Sequence, residues 1–320
     1  MKPLIWIIDE EWADYEIEED ILNKAFPDCI IKHSGNDYKD DLNNFGKKAD
    51  AIICQIYVDM PKETIDVLEN CKIIAVYGGG YDRVDVVTAR AKNIKVTYVP
   101  GYCVEDVSDY VISSIYYCNK RLGAYSESIK NKLWGAQAVN VLGKRIKDSK
   151  LLIIGCGRIG QSVAKKALAM GMEVLAYDLY LEKEIANNLN IKLVELEEGL
   201  KEADYITINA KLSKETEKLL GMNEFKKMKN TAYIINTARG KIINQKDLIE
   251  AVDKKIIAGA VLDVIEIEPP NGCEEIFKVK NILVTPHISY ISKQSLEELK
   301  FRASNNVVKV LNGEQTSDFV

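Results

Sequence analysis

The chain has 320 residues, of which 47% are hydrophobic and 28% charged, and its formal net charge is -5 at pH 7. These fractions are close to those of ordinary globular proteins, so they argue against disorder, collagen and coiled coil, and the length suggests about two domains. The mild acidity argues against binding to nucleic acid or to an anionic membrane surface.

No apolar run approaches the roughly 18 residues that are needed to cross a bilayer. The first run, Leu4–Ile8, is too short for a signal peptide and predicts a buried strand. The seven cysteines are scattered without the spacing of metal ligands, and the histidines are His33 and His287 alone. We therefore expect reduced cysteines, a cytoplasmic location and no bound metal.

Short apolar runs recur along the chain, with helical stretches between them. The runs are continuous rather than alternating, which is typical of parallel strands that are buried on both faces. Strands that alternate with helices predict an α/β fold built from two doubly wound parallel sheets. The predicted strands are Leu4–Ile8, Ala51–Cys54, Ile73–Val76, Leu151–Ile154, Val174–Tyr177, Tyr205–Ile208, Tyr233–Ile235, Ala260–Leu262 and Ile282–Val284.

Apolar residues at helical spacing predict two further elements. One helix begins near Val104 and includes Ile115. The other covers Leu296–Leu311, with Ser292 or Ser295 as its N-terminal cap. Packing against a hydrophobic core is the simplest explanation of both apolar stripes.

The segment Gly155–Gly160 has the pattern GxGxxG, directly after the predicted strand Leu151–Ile154 and at the start of a predicted helix. Gly155 would allow a tight turn, Gly157 would let the backbone approach a pyrophosphate, and Gly160 would let the helix pack on the strand. The pattern therefore predicts a dinucleotide site at the helix N-terminus, although a strand–helix turn without a ligand is the alternative.

Asp178 follows the next predicted strand, 18 residues after Gly160. A carboxylate at this point suits a ribose 2'-hydroxyl and repels a 2'-phosphate. We therefore expect the cofactor to be NAD rather than NADP.

Three polar groups follow the last three predicted strands: Arg239, the pair Asp263 and Glu268, and His287. Taken singly, each has an ordinary structural explanation. The carboxyl ends of parallel strands share one edge of the sheet, however, and that edge is where ligands bind in α/β proteins. Together the three groups suit one reaction: an arginine can bind a carboxylate, a histidine can transfer a proton, and a glutamate can stabilise that histidine.

In these motifs the chain resembles the D-isomer-specific 2-hydroxyacid dehydrogenases, and within them the branch of the glycerate dehydrogenases and C-terminal-binding corepressors. The resemblance extends over nearly the whole chain. Its motifs are Tyr77–Asp85, Val99–Tyr102, Gly155–Gly160, Asn236–Gly240, Leu262–Val264, Glu268-Pro269 and Pro286-His287.

The resemblance implies an NAD-dependent oxidoreductase that reduces a 2-keto acid reversibly to a D-2-hydroxy acid. Its catalytic residues would be Arg239, Glu268 and His287. The substrate contacts that it implies are Gly78, Gly79, Gly80, Arg239 and Tyr290. The cofactor contacts that it implies are Val104, Gly155, Gly157, Arg158, Ile159, Gly160, Asp178, Ala210, Thr237, Ala238, Arg239, Asp263 (to the nicotinamide carboxamide) and His287.

The resemblance also implies two domains with a discontinuous boundary. Residues 1–101 and 288–320 would form a flavodoxin-like substrate-binding domain, and residues 102–287 a Rossmann NAD-binding domain. The site would lie in a cleft that closes on the substrate. A homodimer would form through the cofactor domains, with Tyr125–Asn140 as part of the interface.

The chain departs from the family pattern after its sixth predicted strand. Asn209–Leu212 stands where many members have His-x-Pro-Leu, which leaves its cofactor contacts open. Ile288–Ser292 and Cys103–Val107 resemble the corepressor branch, so an NAD-responsive protein-binding module is an alternative function. A phosphite-oxidising relative is a second alternative, whereas formate-oxidising members pair their histidine with glutamine and this chain has Glu268.

The substrate is predicted from the loop Cys54–Met60. This loop holds no lysine or arginine and contains the acidic Asp59, whereas a phosphate needs charge-assisted donors. We therefore expect an unphosphorylated 2-keto acid, although Arg83 and Lys62 are near in sequence and leave a phosphate donor open.

Overall fold

The computed structural model describes residues 2–139 and 141–320. Its internal contacts divide the chain into two units. The first, the split unit, comprises Met1–Cys103 and Ile291–Val320, and the second, the central unit, comprises Val104–Tyr290. In the described ranges we find no helix that is both long and apolar enough to cross a bilayer.

The split unit contains a five-stranded parallel sheet in the order β2-β1-β3-β4-β5. This is the flavodoxin-like strand order. Its strands are β1 Leu4–Ile8, β2 Ile30–Ser34, β3 Ala51–Gln55, β4 Ile73–Tyr77 and β5 Lys95–Thr97. Its helices are α1 Glu16–Ala25, α2 Lys39–Asn44, α3 Lys62–Asp66, α4 Val86–Ala91 and α12 Lys293–Leu311.

The middle strands of this sheet explain the continuous apolar runs. Every residue of β3 and β4 is buried, because helices cover both faces of the sheet. Helix α12 packs against α1 and β4. Both serines proposed as its cap are used: the Ser292 hydroxyl accepts from Ser295 N–H at 3.0 Å, and the Ser295 hydroxyl accepts from Ser292 N–H at 2.8 Å.

The central unit contains a seven-stranded parallel sheet in the order β12-β11-β10-β9-β6-β7-β8. Counted from β6, this is the Rossmann order 3-2-1-4-5-6 with one more strand at its end. The α/β fold with two doubly wound parallel sheets is therefore confirmed. The strands are β6 Lys150–Ile154, β7 Glu173–Tyr177, β8 Lys192–Leu193, β9 Tyr205–Ile208, β10 Tyr233–Asn236, β11 Gly259–Leu262 and β12 Ile282–Val284.

Two apolar layers enclose this sheet. Alternate residues of β6 enter opposite layers: Leu152 and Ile154 pack in one, Leu151 and Ile153 in the other. Helices α5 and α7, which pack against each other, belong to the second layer. The helices of the unit are α5 Val104–Lys120, α6 Leu122–Lys130, α7 Arg158–Ala169, α8 Lys183–Asn188, α9 Leu196–Glu202, α10 Met222–Phe225 and α11 Gln245–Asp253.

Candidate active site

Four neighbouring strands of the central unit end in register at one edge of its sheet. Ile208 of β9 pairs with Asn236 of β10, which pairs with Leu262 of β11, which in turn pairs with Val284 of β12. The loops that follow these strands carry Arg239, Asp263, Glu268 and His287. The register therefore brings the predicted catalytic residues of this unit to one edge.

His287 is held by its backbone and by its ring. Its φ is +53°, a conformation that is uncommon for residues other than glycine, and its N–H donates to the Asp263 carbonyl at 2.9 Å and to the Thr285 carbonyl at 3.0 Å. The ring Nδ1 lies 3.1 Å from Glu268 Oε2, with each side chain 13% exposed. The ring is thus fixed against a nearly buried carboxyl group.

Glu268 is ionised in this pair. Burial by itself raises the pKa of Glu268, but the hydrogen bond to His287, the charge of His287, the Ile265 N–H and the charge of Arg239 together hold that pKa below its usual value. Its other oxygen, Oε1, accepts from Ile265 N–H at 2.9 Å. Because an ionised carboxylate only accepts hydrogen bonds, Nδ1 of His287 must be the donor, and Nε2 is the nitrogen left to exchange a proton.

Asp263 organises the loop that carries His287. The side chain is buried, at 1% exposure. Its oxygens accept from the Thr285 hydroxyl at 2.6 Å, from Ile288 N–H at 2.9 Å and from Ser289 N–H at 2.8 Å. A contact to the nicotinamide carboxamide stays a prediction, whereas the contacts to this loop are present.

Arg239 lies in a loop that two neighbours shape. The buried Asn236 donates from Nδ2 to the Arg239 carbonyl at 3.0 Å and accepts from Ala238 N–H at 3.0 Å, and Arg239 Nη1 donates to the Ala238 carbonyl at 2.8 Å. A Cβ at Gly240 would lie 1.9 Å from the Ile265 backbone. Glycine is therefore required where the arginine loop meets the segment that leads to Glu268.

The glycine loop has the geometry that the motif predicts. Gly155 has φ +86°, and a Cβ there would lie 2.6 Å from the Ala210 backbone, while a Cβ at Gly160 would lie 2.4 Å from the Gly155 carbonyl. At Gly157 a Cβ would meet nothing within 4 Å. Helix α7 begins at Arg158 without a side-chain cap, so its first N–H groups suit an anion.

Asp178, which directly follows β7, holds the glycine loop in place by hydrogen bonds. Its Oδ2 accepts from Cys156 N–H at 2.7 Å, and its Oδ1 accepts from Tyr180 N–H at 2.8 Å and from Leu181 N–H at 2.9 Å. A carboxylate has about four acceptor sites, so Oδ2 keeps one for a ribose hydroxyl. Burial raises the pKa of the Cys156 thiol to about 11, helped by the charge of Asp178, so this thiol stays neutral.

Two side chains at the same edge hold buried polar atoms without a hydrogen-bond partner in the described part of the chain. They are Asn209, through Oδ1, and Thr237, through Oγ1. Together with the uncapped start of α7 and the open space at Gly157, these atoms offer donors and acceptors to a ligand. The residues present therefore fit a dinucleotide.

The remaining residues predicted for this site are placed as follows. Val104 is the first residue of α5, Arg158 and Ile159 lie in the first turn of α7, and Ala238 precedes Arg239. Tyr290 is 7% exposed, and its ring lies edge-on to the His287 ring with the ring centres 6.2 Å apart. Tyr290 thus packs against His287, the proposed catalytic histidine.

In the split unit, Gly78–Gly80 follows β4 directly. A Cβ at Gly78 would lie 2.2 Å from Cγ2 of Ile56, so glycine is required there, whereas Gly79 has room. Within the described ranges, the N–H groups of Gly79 and Gly80 donate no hydrogen bond. Unpaired backbone donors of this kind suit an anion such as a carboxylate.

Sequence reasoning gave no role to Asn236, Gly240 or Asn209. Gly240 meets Ile265, which only the fold brings near, whereas the side-chain bonds of Asn236 and Asn209 are made within three residues. The position of Asn209 and Asn236 at strand ends was the available signal, because polar residues there face the ligand edge.

Comparison with known proteins agrees with this geometry. The model of the "D-isomer specific 2-hydroxyacid dehydrogenase, NAD binding domain" family matches residues 112–289. This chain belongs to the D-isomer specific 2-hydroxyacid dehydrogenases. It is accordingly an NAD-dependent oxidoreductase, and the central unit contains its NAD-binding domain.

Relatives of this dehydrogenase cover most of its length. A glyoxylate reductase of Thermococcus litoralis is 33% identical over 273 residues, which are 84% of this chain and 82% of the relative. A hydroxypyruvate reductase of Blautia hydrogenotrophica is 33% identical over 301 residues, 91% of each chain. The structure of D-lactate dehydrogenase from Aquifex aeolicus, complexed with NAD and lactic acid, is 27% identical and has a TM-score of 0.90, over 99% of this chain and 98% of that one.

Proposed function

We propose that the enzyme reduces an unphosphorylated 2-keto acid to the D-2-hydroxy acid with NADH, and catalyses the reverse reaction. The observation that carries this proposal is the His287–Glu268 pair at 3.1 Å, beside a loop that presents Arg239. This set provides a proton donor and a carboxylate ligand at the edge where the dinucleotide binds.

The proposed roles follow from the charges. Arg239 binds the substrate carboxylate and polarises the keto group, which aligns the reacting carbon. His287, protonated and paired with Glu268, gives the proton from Nε2 to the keto oxygen, and takes it back in the oxidation. The bound NADH supplies the hydride. We propose that the split unit is the substrate-binding domain, in which the N–H groups of Gly79 and Gly80 suit an anion such as a carboxylate.

The charges near the predicted substrate loop support a substrate without phosphate. Arg83 Nη1 lies 3.3 Å from Asp59 Oδ1 and donates to the Tyr57 carbonyl at 3.3 Å. Lys62 Nζ lies 2.6 Å from Asp66 Oδ2. Both cations named as phosphate donors thus have an acidic partner, and a phosphate would have to compete with it.

The test is a panel of 2-keto acids with NADH, measured by NADH oxidation. We propose hydroxypyruvate, glyoxylate or a medium-sized aliphatic keto acid as the substrate, because relatives at 33% identity are named glyoxylate and hydroxypyruvate reductases. A higher kcat/KM for phosphohydroxypyruvate than for every unphosphorylated acid would overturn the substrate class.

The same panel decides the branch. We propose that the chain is an enzyme of the glycerate dehydrogenase type, within the branch that also holds the corepressors. Turnover of an unphosphorylated keto acid supports this assignment. Absence of turnover with every acid would favour the NAD-responsive protein-binding module, and NADH formation from phosphite would favour the phosphite-oxidising relative.

We further propose a homodimer that forms through the NAD-binding unit. Large apolar side chains are exposed between residues 122 and 142: Leu122 at 74%, Trp134 at 78% and Leu142 at 91%. Large apolar side chains gathered on one exposed segment favour a protein–protein contact. Asn140, the end of the segment predicted as the interface, lies outside the described residues. A monomeric mass at micromolar concentration in analytical ultracentrifugation would refute the dimer.

We also propose a cytoplasmic location. The thiols of Cys54, Cys71, Cys118 and Cys156 are buried and unbridged, which suits a reducing compartment. Recovery of the native protein in the soluble cytoplasmic fraction of its cell is the expected result, and recovery outside the cytoplasm would contradict it.

A further inference from the structure

Asn209 keeps a buried polar atom without a partner, whichever way its amide is turned. It directly follows β9, and its Nδ2 lies 3.3 Å from the Thr207 hydroxyl, while Oδ1 is buried and unpartnered within the described residues. Because a hydroxyl can donate or accept, turning the amide would exchange the two atoms and still leave one unpaired. A buried atom of this kind needs a partner from outside the chain, either water or a ligand.

Thr237 is the counterpart of Asn209 on the neighbouring strand. Ile208 pairs with Asn236, so Asn209 and Thr237 directly follow the paired ends of two strands that lie about 4.8 Å apart. The Thr237 hydroxyl is also buried and unpartnered in the described ranges. The register therefore brings an amide and a hydroxyl to the same level of the sheet edge, and both groups match a ligand that carries hydroxyl groups.

The strand order indicates which hydroxyl groups of a dinucleotide would reach Asn209 and Thr237. Asp178 ends β7, the glycine loop and the start of α7 follow β6, and Asn209 follows β9 on the other side of β6. A dinucleotide whose pyrophosphate lies at the start of α7 has one ribose on each side of that point. With the adenosine ribose at Asp178, the second ribose would come to the end of β9.

We propose that Asn209 binds the hydroxyls of the nicotinamide ribose, together with Thr237. Phosphate oxygens only accept hydrogen bonds, so a pyrophosphate would satisfy the unpaired atom only where that atom is Nδ2. Hydroxyls satisfy it in either amide orientation, which favours the ribose. The proposal rests on NAD binding and on the register of β9 and β10, and it does not depend on the keto acid.

The experiment measures binding by titration calorimetry of the full chain with NADH, with ADP-ribose and with ADP. ADP-ribose contains the second ribose but no nicotinamide, and ADP contains neither. Asn209→Ala is expected to raise Kd about tenfold for NADH and for ADP-ribose, the scale of one lost hydrogen bond, and to leave Kd for ADP unchanged. Thr237→Val, which keeps the side-chain shape, is expected to give the same pattern.

Each other pattern overturns the proposal. Equal loss for all three ligands would place Asn209 at the pyrophosphate or the adenosine, loss for NADH alone would place it at the nicotinamide, and unchanged affinity would remove any contact. Asn187→Ala, an exposed site on α8, is the matched control and should leave all three Kd values unchanged. If the Kd values follow the predicted pattern but no keto acid is turned over, the proposed reaction is refuted and this inference still holds.

Discussion

Substitution of Glu268 by glutamine removes one charge from the proposed proton donor and keeps the side-chain size. In the wild type, Glu268 Oε2 lies 3.1 Å from Nδ1 of His287, and each side chain is 13% exposed, so solvent screens the pair only in part. The charge of His287 helps to hold the pKa of Glu268 below its usual value, so the two charged groups stabilise each other. Glutamine keeps an acceptor but no negative charge, so the protonated form of His287 becomes less stable.

The size of the effect follows from the contact. A hydrogen bond to a charged group contributes about 1.5–3 kcal/mol and a neutral one about 0.5–1.5 kcal/mol. Glutamine keeps the bond without the charge, so about 1–1.5 kcal/mol is lost, and about 1.4 kcal/mol corresponds to one pH unit. The pH profile of kcat/KM should therefore move about one unit toward lower pH in Glu268→Gln. Reduction needs the protonated histidine and oxidation the neutral one, so the profiles of both directions should move the same way.

The assay follows NADH absorbance in both directions across the range in which histidines titrate. Glu266→Gln, two residues earlier in the same loop, removes an equal charge and is the control, for which we expect the wild-type profile. An unchanged profile in Glu268→Gln, or opposite shifts in the two directions, would refute the assignment of His287 and Glu268 as the proton-transfer pair.

Three further substitutions test the central unit. Asp178→Asn should lower the ratio of kcat/KM for NADH to kcat/KM for NADPH, because it removes the charge that repels a 2'-phosphate. Asparagine keeps one oxygen that can accept from the backbone. An unchanged ratio would reject this role of Asp178. Gly155→Ala should lower the melting temperature and abolish the thermal shift caused by NADH, because its φ is +86° and a Cβ would lie 2.6 Å from the Ala210 backbone; a wild-type thermal shift would contradict this. Asp204→Asn should cost about 1–3 kcal/mol of unfolding free energy in urea at neutral pH. Burial raises the pKa of Asp204, but the hydrogen bonds from Lys229, Lys150 N–H and Lys144 outweigh burial and hold it below 3.8, so the stabilisation is present above pH 3.8 and is lost as pH falls through the lower value. If Asp204→Asn lost the same unfolding free energy in strong acid, where the carboxylate is protonated, the electrostatic explanation of this stabilisation would be refuted.

The sequence predicts the central strands well and the edge strands poorly. Strands such as β3 and β4 are buried on both faces and therefore appear as continuous apolar runs. The strands β2, β5 and β8 were not predicted. Most of β2 is exposed, β5 has three residues and β8 has two, so none leaves an apolar run to detect.

The site was predictable where its chemistry follows a motif. Gly155 and Asp178 stand at fixed places around a strand and a helix, and the structure gives both the expected backbone setting. The hydrogen bonds by which Asp263 holds the His287 loop were not predictable, because their donors, Ile288 N–H and Ser289 N–H, are 25 and 26 residues away. The unpaired atom of Asn209 likewise depends on what surrounds it in the fold.

The central claim is that His287 transfers the proton in a reaction of NADH with a 2-keto acid. The most direct measurement compares the wild type with His287→Ala, using the best keto acid of the panel for kcat and calorimetry for the Kd of NADH. We predict that kcat falls by about 10²–10⁴, the scale of general acid–base catalysis, while the Kd for NADH changes little. Wild-type kcat in His287→Ala, or a fall in activity that an equal loss of NADH binding explains, would contradict the account.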